Sequence, residues 1–442
     1  MNQKNWHAVI TKLLNELREG ESLAVSLAAE DSLFVRMTQA KVRQSSEIEQ
    51  GFAEISFFKN NRNVKFTLPF TFQHDEDLKV ALNALNRCRE EAEHFPEDPF
   101  IQLPVNDGRF QQVAGEKISR YTLTEQCLSK VKGQDFTGLL AAGEMVRANM
   151  NSSGLEQWFE TSTFSVDFSF YTQNQQTVKG LYGGRQWQDQ DYNDLISRKL
   201  LQLDYLNHPL KTLEKGKYRT YFSPSAVAGL LQILSWRGVS REAYQRGDCA
   251  LKKLVDREKT LSPFFSLREN FSSGEIPRFN EIGEIASELF PLIEQGDYKN
   301  LLCSSRSAKE YSLASNFANS SEALRAPEIL SGTLSSENIM KELGTGLYVS
   351  HLHYLNWSDI QQGRITGMTR FGCFWIENGE IVAPVKDMRF DESLYHFWGQ
   401  GLIGFTDKAE TLPEIGTYVQ RDLGTLKAPG MLVDNFTFVS AG

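Results

Sequence analysis

The chain has 442 residues, room for roughly two to four domains, and its 40% hydrophobic and 23% charged residues are ordinary for a globular protein. The net charge of −9 argues against a general nucleic-acid binder, which presents a basic surface. No stretch approaches the ~18 apolar residues of a membrane span, and five cysteines without paired spacing fit free thiols in a reducing cytoplasm, so we expect a cytoplasmic protein with no membrane or nucleic-acid partner.

The opening MNQKNWHAVITKLLNEL carries charges throughout and reads as an amphipathic helix over 5–18, not as a signal peptide. Trp6, Val9, Ile10, Leu13 and Leu14 recur on one face. Apolar or alternating runs at 23–27, 33–37, 52–58 and 64–68 predict four strands of one sheet, with Asn60-Asn61 as a hairpin turn. A second helix spans 75–93, with Leu78, Ala81, Leu82, Leu85 and Cys88 on one face and Asp75 as its cap. Residues 1–95 thus form an α+β domain, and the Pro-rich 96–108 reads as a linker.

A central α+β domain follows over 109–208. Helices are expected at 124–131 and 137–148, then a polar turn at 149–154. Strands follow at 156–160, 163–172 and 177–182, and a last helix at 191–204. The middle strand alternates strictly at Phe164, Val166, Phe168 and Phe170, the mark of a sheet with one buried face. The third domain, 209–442, is larger and β-rich. After a strand at 218–222, Ser223 caps a helix whose first position is Pro224, where the missing N–H costs nothing. Its apolar face is Ala226, Val227, Leu230, Leu231 and Leu234. Helices at 280–294 and 335–343 flank a Ser- and Asn-rich loop over 304–336. The densest strand signal lies in 341–388: Leu347-Tyr348-Val349, then 371–376, an Asn378-Gly379 turn, and a return through Ile381, Val382 and Val385. Pro384 places that return strand at an edge. The class is α+β, with mainly antiparallel sheets.

Three motifs in that stretch, GTGLYV from Gly344, GRITG from Gly363 and FWIENGEIVAPV from Phe374, resemble the C-terminal domain of the TldD/PmbA family. That family is named both as a modulator of DNA gyrase and as a zinc metallopeptidase. The resemblance implies an HExxxH motif on the helix that begins at Pro224, with a cysteine near the C-terminus as a further zinc ligand. Aligned on Leu230-Leu231 and Gly238, this chain has Gln232 and Ile233 in place of the first His and the Glu, and Arg237 in place of the second His. Gln is a weak neutral donor, Ile has no lone pair and Arg stays protonated. No cysteine follows Cys373. We therefore expect no catalytic residue, metal or cofactor in this chain, as in the zinc-free TldE (PmbA) branch. The resemblance implies a heterodimer with a zinc-bearing TldD-like chain, enclosing an unfolded peptide. The alternative is a stand-alone homodimeric peptide-binding scaffold without peptidase activity. Two departures stand out: Met368 follows Gly367 where Asp is usual, and Ala314-Ser315-Asn316-Phe317 replaces a Gly-His-Ala-rich segment.

His351 and His353, at i and i+2 of a strand, share a face and could chelate a metal with Asp359 or Cys373. Cys303-Ser304-Ser305 lacks a nucleophile elbow, and the glycine turns at 183–185 and 344–346 lack the spacing that cradles phosphate. Trp357, Phe371, Phe374 and Trp375, with Arg364 and Arg370 between them, suggest an edge that takes up a peptide as an added strand. The candidate peptide-binding residues are His351, His353, Trp357, Arg370 and Phe371.

Overall fold

The computed structural model describes residues 1–114 and 119–441. Its first part is a meander of β1 (Ser22–Thr38), β2 (Lys41–Lys59) and β3 (Arg62–Pro69), with α1 (Gln3–Asn15) and α2 (His74–Ala92) packed on one face. Both hairpin turns, Gln39-Ala40 and Asn60-Asn61, hold two consecutive residues at positive φ, the geometry that matches strand twist. The two strands expected at 23–27 and 33–37 are one. The residues between them contain no Gly, Pro or Asn, and buried Ser32 donates to buried Glu30 at 2.7 Å within the strand. Asn2, not an internal residue, caps α1. Asp75 is not the cap of α2: the N-cap is Gln73, which makes no side-chain cap bond, while Asp77 accepts from the Thr71 N–H and hydroxyl at 2.8 and 2.9 Å.

The central part adds β4 (Phe110–Ala114), α3 (Arg120–Ser129), β5 (Phe136–Asn151), β6 (Glu156–Tyr171), β7 (Thr177–Gly184) and α4 (Asp189–Tyr205). Strands from both sides of the 96–108 segment join in one seven-stranded sheet, ordered β3-β2-β1-β5-β6-β4, with β7 also on β6. The helix expected over 137–148 is instead the middle of β5. Its Leu, Ala and Met residues favour a helix by propensity. Here they sit between β1 and β6 with most residues buried, and ladder bonding on both edges outweighs that preference.

The last part begins with β8 (Gly216–Phe222) and α5 (Pro224–Ser235), followed by α6 (Arg241–Gln245) and α7 (Lys252–Val255). Then come β9 (Leu267–Asn270), β10 (Leu289–Glu294), β11 (Asp297–Tyr298), α8 (Ser305–Tyr311), β12 (Pro327–Ile329) and α9 (Ile339–Leu343). The remaining strands are β13 (Gly346–Val349), β14 (His351–Asp359), β15 (Arg364–Arg370), β16 (Phe374–Glu377), β17 (Glu380–Pro384), β18 (Met388–Ser393), β19 (Leu402–Pro413) and β20 (Thr425–Ala441). They form a thirteen-stranded, mainly antiparallel sheet ordered β11-β10-β9-β12-β20-β8-β13-β16-β17. A branch β14-β15-β18 returns to β20, which also carries β19. The sheet curls around α5, whose Leu230, Leu231 and Leu234 are fully buried with Phe222, Phe390, Trp398 and Phe436. β17 ends the sheet order, which agrees with the edge assigned from Pro384, and Asn378-Gly379 takes the two positive φ values its turn requires.

Three expectations here give way. Residues 280–288 are not helical, because the Asn280 side chain accepts from the N–H groups of Ile282 and Glu284 and closes a local turn that competes with a helix. The 304–336 segment contains α8 and β12. Phe371-Gly372 is a left-handed turn, φ 60° and 67°, and the strand starts only at Phe374.

Among the contacts that tie the two sheets together, one connection reaches far in sequence. Residues 414–424, between β19 and β20, cross onto the first sheet. The Arg421 N–H donates to Glu30 Oε1 at 3.2 Å, and its guanidinium donates to Ser32 Oγ at 3.3 Å and Thr163 Oγ1 at 2.8 Å. Gln50 Nε2 donates to the Val419 carbonyl at 3.0 Å. Burial pulls the Arg421 guanidinium down to about 10, with Glu30 opposing the shift.

Candidate functional site

Ser223 Oγ accepts from the Ala226 N–H at 3.4 Å and donates to the Ser350 carbonyl at 2.6 Å. The cap therefore fixes the start of α5 against the chain just before β14. Leu352 and Leu355 of β14 lie over Gly229, where a Cβ would come within 3.1 Å of Leu355. At the other end, Trp357 Nε1 donates to the Trp236 carbonyl at 2.9 Å. Helix and strand are thus joined at both ends, and two motif glycines explain the fit. A Cβ on Gly346 would meet the Arg219 carbonyl oxygen at 2.2 Å, and one on Gly367 would meet Leu355 at 2.5 Å.

The three positions of the expected metal motif take different surroundings. Gln232 is exposed and hydrogen-bonds Glu414, whose carboxyl is pushed up, first by burial and then by Asp422. Ile233 is half-buried against the core. Arg237 is exposed, takes φ 63° beyond the end of α5, and pairs with Asp248. Gln232 and Arg237 line an open cavity of about 490 Å³ together with Ser240, Glu242 and Arg246. An amide, an isoleucine and an ion-paired guanidinium do not fit a zinc ion.

β14 is an edge strand. Among the described residues it pairs only with β15, and its outer side carries no ladder. Register shifts by one residue between His353 and Asn356, where Tyr354 sits at φ 50° and is 72% exposed. This bulge resets the alternation. Leu352 before it and Leu355 and Trp357 after it all pack toward the core. His351 and His353 take the opposite face. Their expected third ligands do not join them: Asp359 accepts from the Gln362 N–H at 3.1 Å, and buried Cys373 lies against the Arg370 carbonyl. Among the described residues no three His, Cys, Asp or Glu side chains are grouped to hold a metal.

Four of the five peptide-binding candidates do come together, and Trp357 stands apart at the far end of β14. His351 is opposite Arg370 in the ladder. The His351 ring meets Phe371 edge-on at 5.6 Å, and the Arg370 guanidinium lies 5.1 Å from the same ring. His353 packs on Tyr354 at 4.1 Å. Two further cations approach from distant parts of the chain. Lys179 of β7 lies 5.9 Å from the Phe371 ring, and Lys199 of α4 acts on His351. Burial holds the His351 imidazole well below its usual range, reinforced by Lys199 and Lys179. His353 is lowered by burial, then by Arg370 and Lys179. Burial also brings Lys199 down to about 8. Nothing in the local sequence of Lys179 or Lys199 marked them: one lies in an exposed-looking strand register and the other on an ordinary charged helix.

The model of the PmbA/TldA metallopeptidase C-terminal domain matches residues 215–440, just over half of the chain. No curated protein matches. The fold is similar to that of TldE from Thermococcus kodakarensis, with a TM-score of 0.76 and 15% identity, covering 99% of this chain and 100% of that one. It is also similar to proteins that carry the name modulator of DNA gyrase from Thermotoga maritima (TM-score 0.73, 14% identity, 98% and 100% covered) and from Bacteroides thetaiotaomicron (0.73, 15%, 99% and 99%). The domain match and the likeness in fold along the whole length lead to one assignment: the chain belongs to the PmbA/TldD family.

Proposed function

We propose that this chain is a non-catalytic, TldE-like subunit of a Tld-type peptidase, holding an extended, unfolded peptide while a zinc-bearing partner chain supplies the metal. The observation that carries the reading is the fate of the family's metal helix. α5 is formed, capped and buried, yet the motif positions on it hold Gln232 and Ile233, and the one just beyond it holds Arg237, which is committed to Asp248. A helix kept in place without its chemistry fits a chain retained for shape. β14 supports the binding half of the reading, because an open edge beside that helix offers main-chain hydrogen bonds that ignore sequence.

The test is gentle purification of the tagged chain from its own host, with identification of co-purifying polypeptides and zinc per complex. A near-stoichiometric partner carrying HExxxH, with about one zinc per pair, is the expected result. A partner-free, zinc-loaded, active protease would overturn the proposal. The chain alone and metal-free would favour a homodimeric peptide-binding scaffold.

A further inference from the structure

The corner at the start of β14 gathers cations from separate parts of the chain. Lys179 has a counter-ion, Asp167 at 3.0 Å. The side chains of Lys199 and Arg370 make no hydrogen bond or ion pair among the described residues, apart from the stacking of Arg370 on Phe371. Carboxylates do stand in the neighbourhood. Glu410 is engaged by Arg198 at 3.8 Å, and half-buried Asp387 has its carboxyl pushed up by burial, against the pull of Arg370. Two cations, Lys179 of β7 and Arg370 of β15, therefore meet on the Phe371 ring, a third, Lys199 of α4, acts on the adjoining His351, and the side chains of Lys199 and Arg370 lack a direct anionic partner among the described residues.

Their position relative to β14 carries a direction. The strand runs from His351, in the corner, to Asp359, away from it. A peptide added to the open edge antiparallel to β14 brings its C-terminus to His351; one added parallel brings its N-terminus there. Lys199 and Arg370 repel an α-ammonium group and attract an α-carboxylate. The imidazoles of His351 and His353, kept neutral, add hydrogen-bonding capacity without a further charge to desolvate. Tyr354, bulged and exposed beside His353, limits the regular ladder near the corner to residues 351–353. Peptide and strand then share only a short stretch there, so a charged terminus supplies what the ladder lacks.

We propose that the corner formed by His351, Phe371, Lys179 and Arg370, with Lys199 beside His351, binds the C-terminal carboxylate of an extended peptide lying antiparallel along β14. This rests on the peptide-binding reading of β14 and adds to it a polarity and an anchored end. Side-chain sequence is left unspecified, and the free terminus becomes the recognised group.

The experiment titrates the full chain, with any partner that co-purifies, against a short unstructured peptide of Gly, Ser, Ala and Val by calorimetry. The peptide is used as the free acid, as the C-terminal amide, and as the N-acetylated acid. Amidation is expected to weaken binding by about tenfold or more, the scale of a charge-assisted contact, and acetylation to leave it unchanged. The acid–amide difference should vanish in a Lys199→Gln/Arg370→Gln variant and persist in part in Arg370→Lys. Equal binding of acid and amide would overturn the anchor while leaving β14 as a peptide edge. Weakening by acetylation instead of amidation would reverse the polarity and also overturn it. Binding of none of the three would remove both the anchor and the peptide-binding reading.

Discussion

Glu322 offers a sharp test of how the region beside α5 is held. Its side chain is fully buried and accepts three hydrogen bonds: from Ser240 Oγ at 2.7 Å, the Glu242 N–H at 2.7 Å and the Ser304 N–H at 2.8 Å. Two of these donors lie at the starts of α6 and α8, and Ser240 is itself the cap of α6. In Glu322→Ala all three donors lose their acceptor in a buried site. Each orphaned donor costs roughly 1–3 kcal/mol, and partial relaxation with water entry puts the sum near the low end, about 3–5 kcal/mol. Glu322→Gln keeps one acceptor oxygen but turns an NH2 group toward a donor, so about 1–3 kcal/mol is expected. Urea unfolding followed by tryptophan fluorescence gives the total. Hydrogen exchange at the Glu242 and Ser304 amides shows whether the loss is local. If Glu322→Ala stays within about 1 kcal/mol of the parent and both amides remain protected, the carboxylate is not the clamp described here.

Further expectations concern glycines, histidine and thiols. Gly346→Ala drives a Cβ to 2.2 Å from a main-chain oxygen and should cost about 3 kcal/mol, whereas Gly367→Ala meets only side-chain ends and should cost about 1–2 kcal/mol, both read from denaturant midpoints. Equal losses would show that the backbone at Gly346 can move. The His351 pKa is depressed in the folded chain, so its contribution to stability is complete above the unfolded value of ~6.5 and is lost as pH falls below it. The stability of the parent relative to His351→Gln should therefore fall between pH 7.5 and 5.5, by at most about 1.4 kcal/mol per unit below ~6.5; a pH-independent difference would refute this. All five cysteines are buried, and burial pushes Cys88, Cys127 and Cys303 up to about 11 and Cys249 and Cys373 up to about 12. Thiol titration should give no prompt reaction in the native chain and five equivalents in urea.

What could be read from the sequence was local. Ser223-Pro224, Asn60-Asn61, Asn378-Gly379 and the edge proline Pro384 each act through their own backbone, and each stands where its chemistry requires. The class, α+β with a larger β-rich C-terminal part, followed from such signals and from the family motifs. What escaped depended on neighbours distant in the chain. β5 is buried on both faces, so the alternation that marks a strand is absent, and its helix-favouring composition prevailed in the reading. The bulge at Tyr354 needs a partner strand to be visible at all. At the site, His351, Arg370 and Phe371 were within reach because they are neighbours in one hairpin. Lys179 and Lys199 were not, since nothing local ties an isolated lysine to the Phe371 ring about 190 residues on, or to the His351 ring about 150 residues on.

The strap at 414–424 has a consequence for how the protein is made. Arg421 and Glu30 are 391 residues apart in the chain. At roughly 5–20 residues per second, a ribosome needs on the order of 20–80 seconds between them. Through that interval the first sheet must wait with the buried carboxylate of Glu30 still lacking the Arg421 N–H. Folding that begins with the first sheet is therefore completed only once Arg421 has emerged, and a chain cut short before Arg421 would lack the contact that closes its oldest sheet.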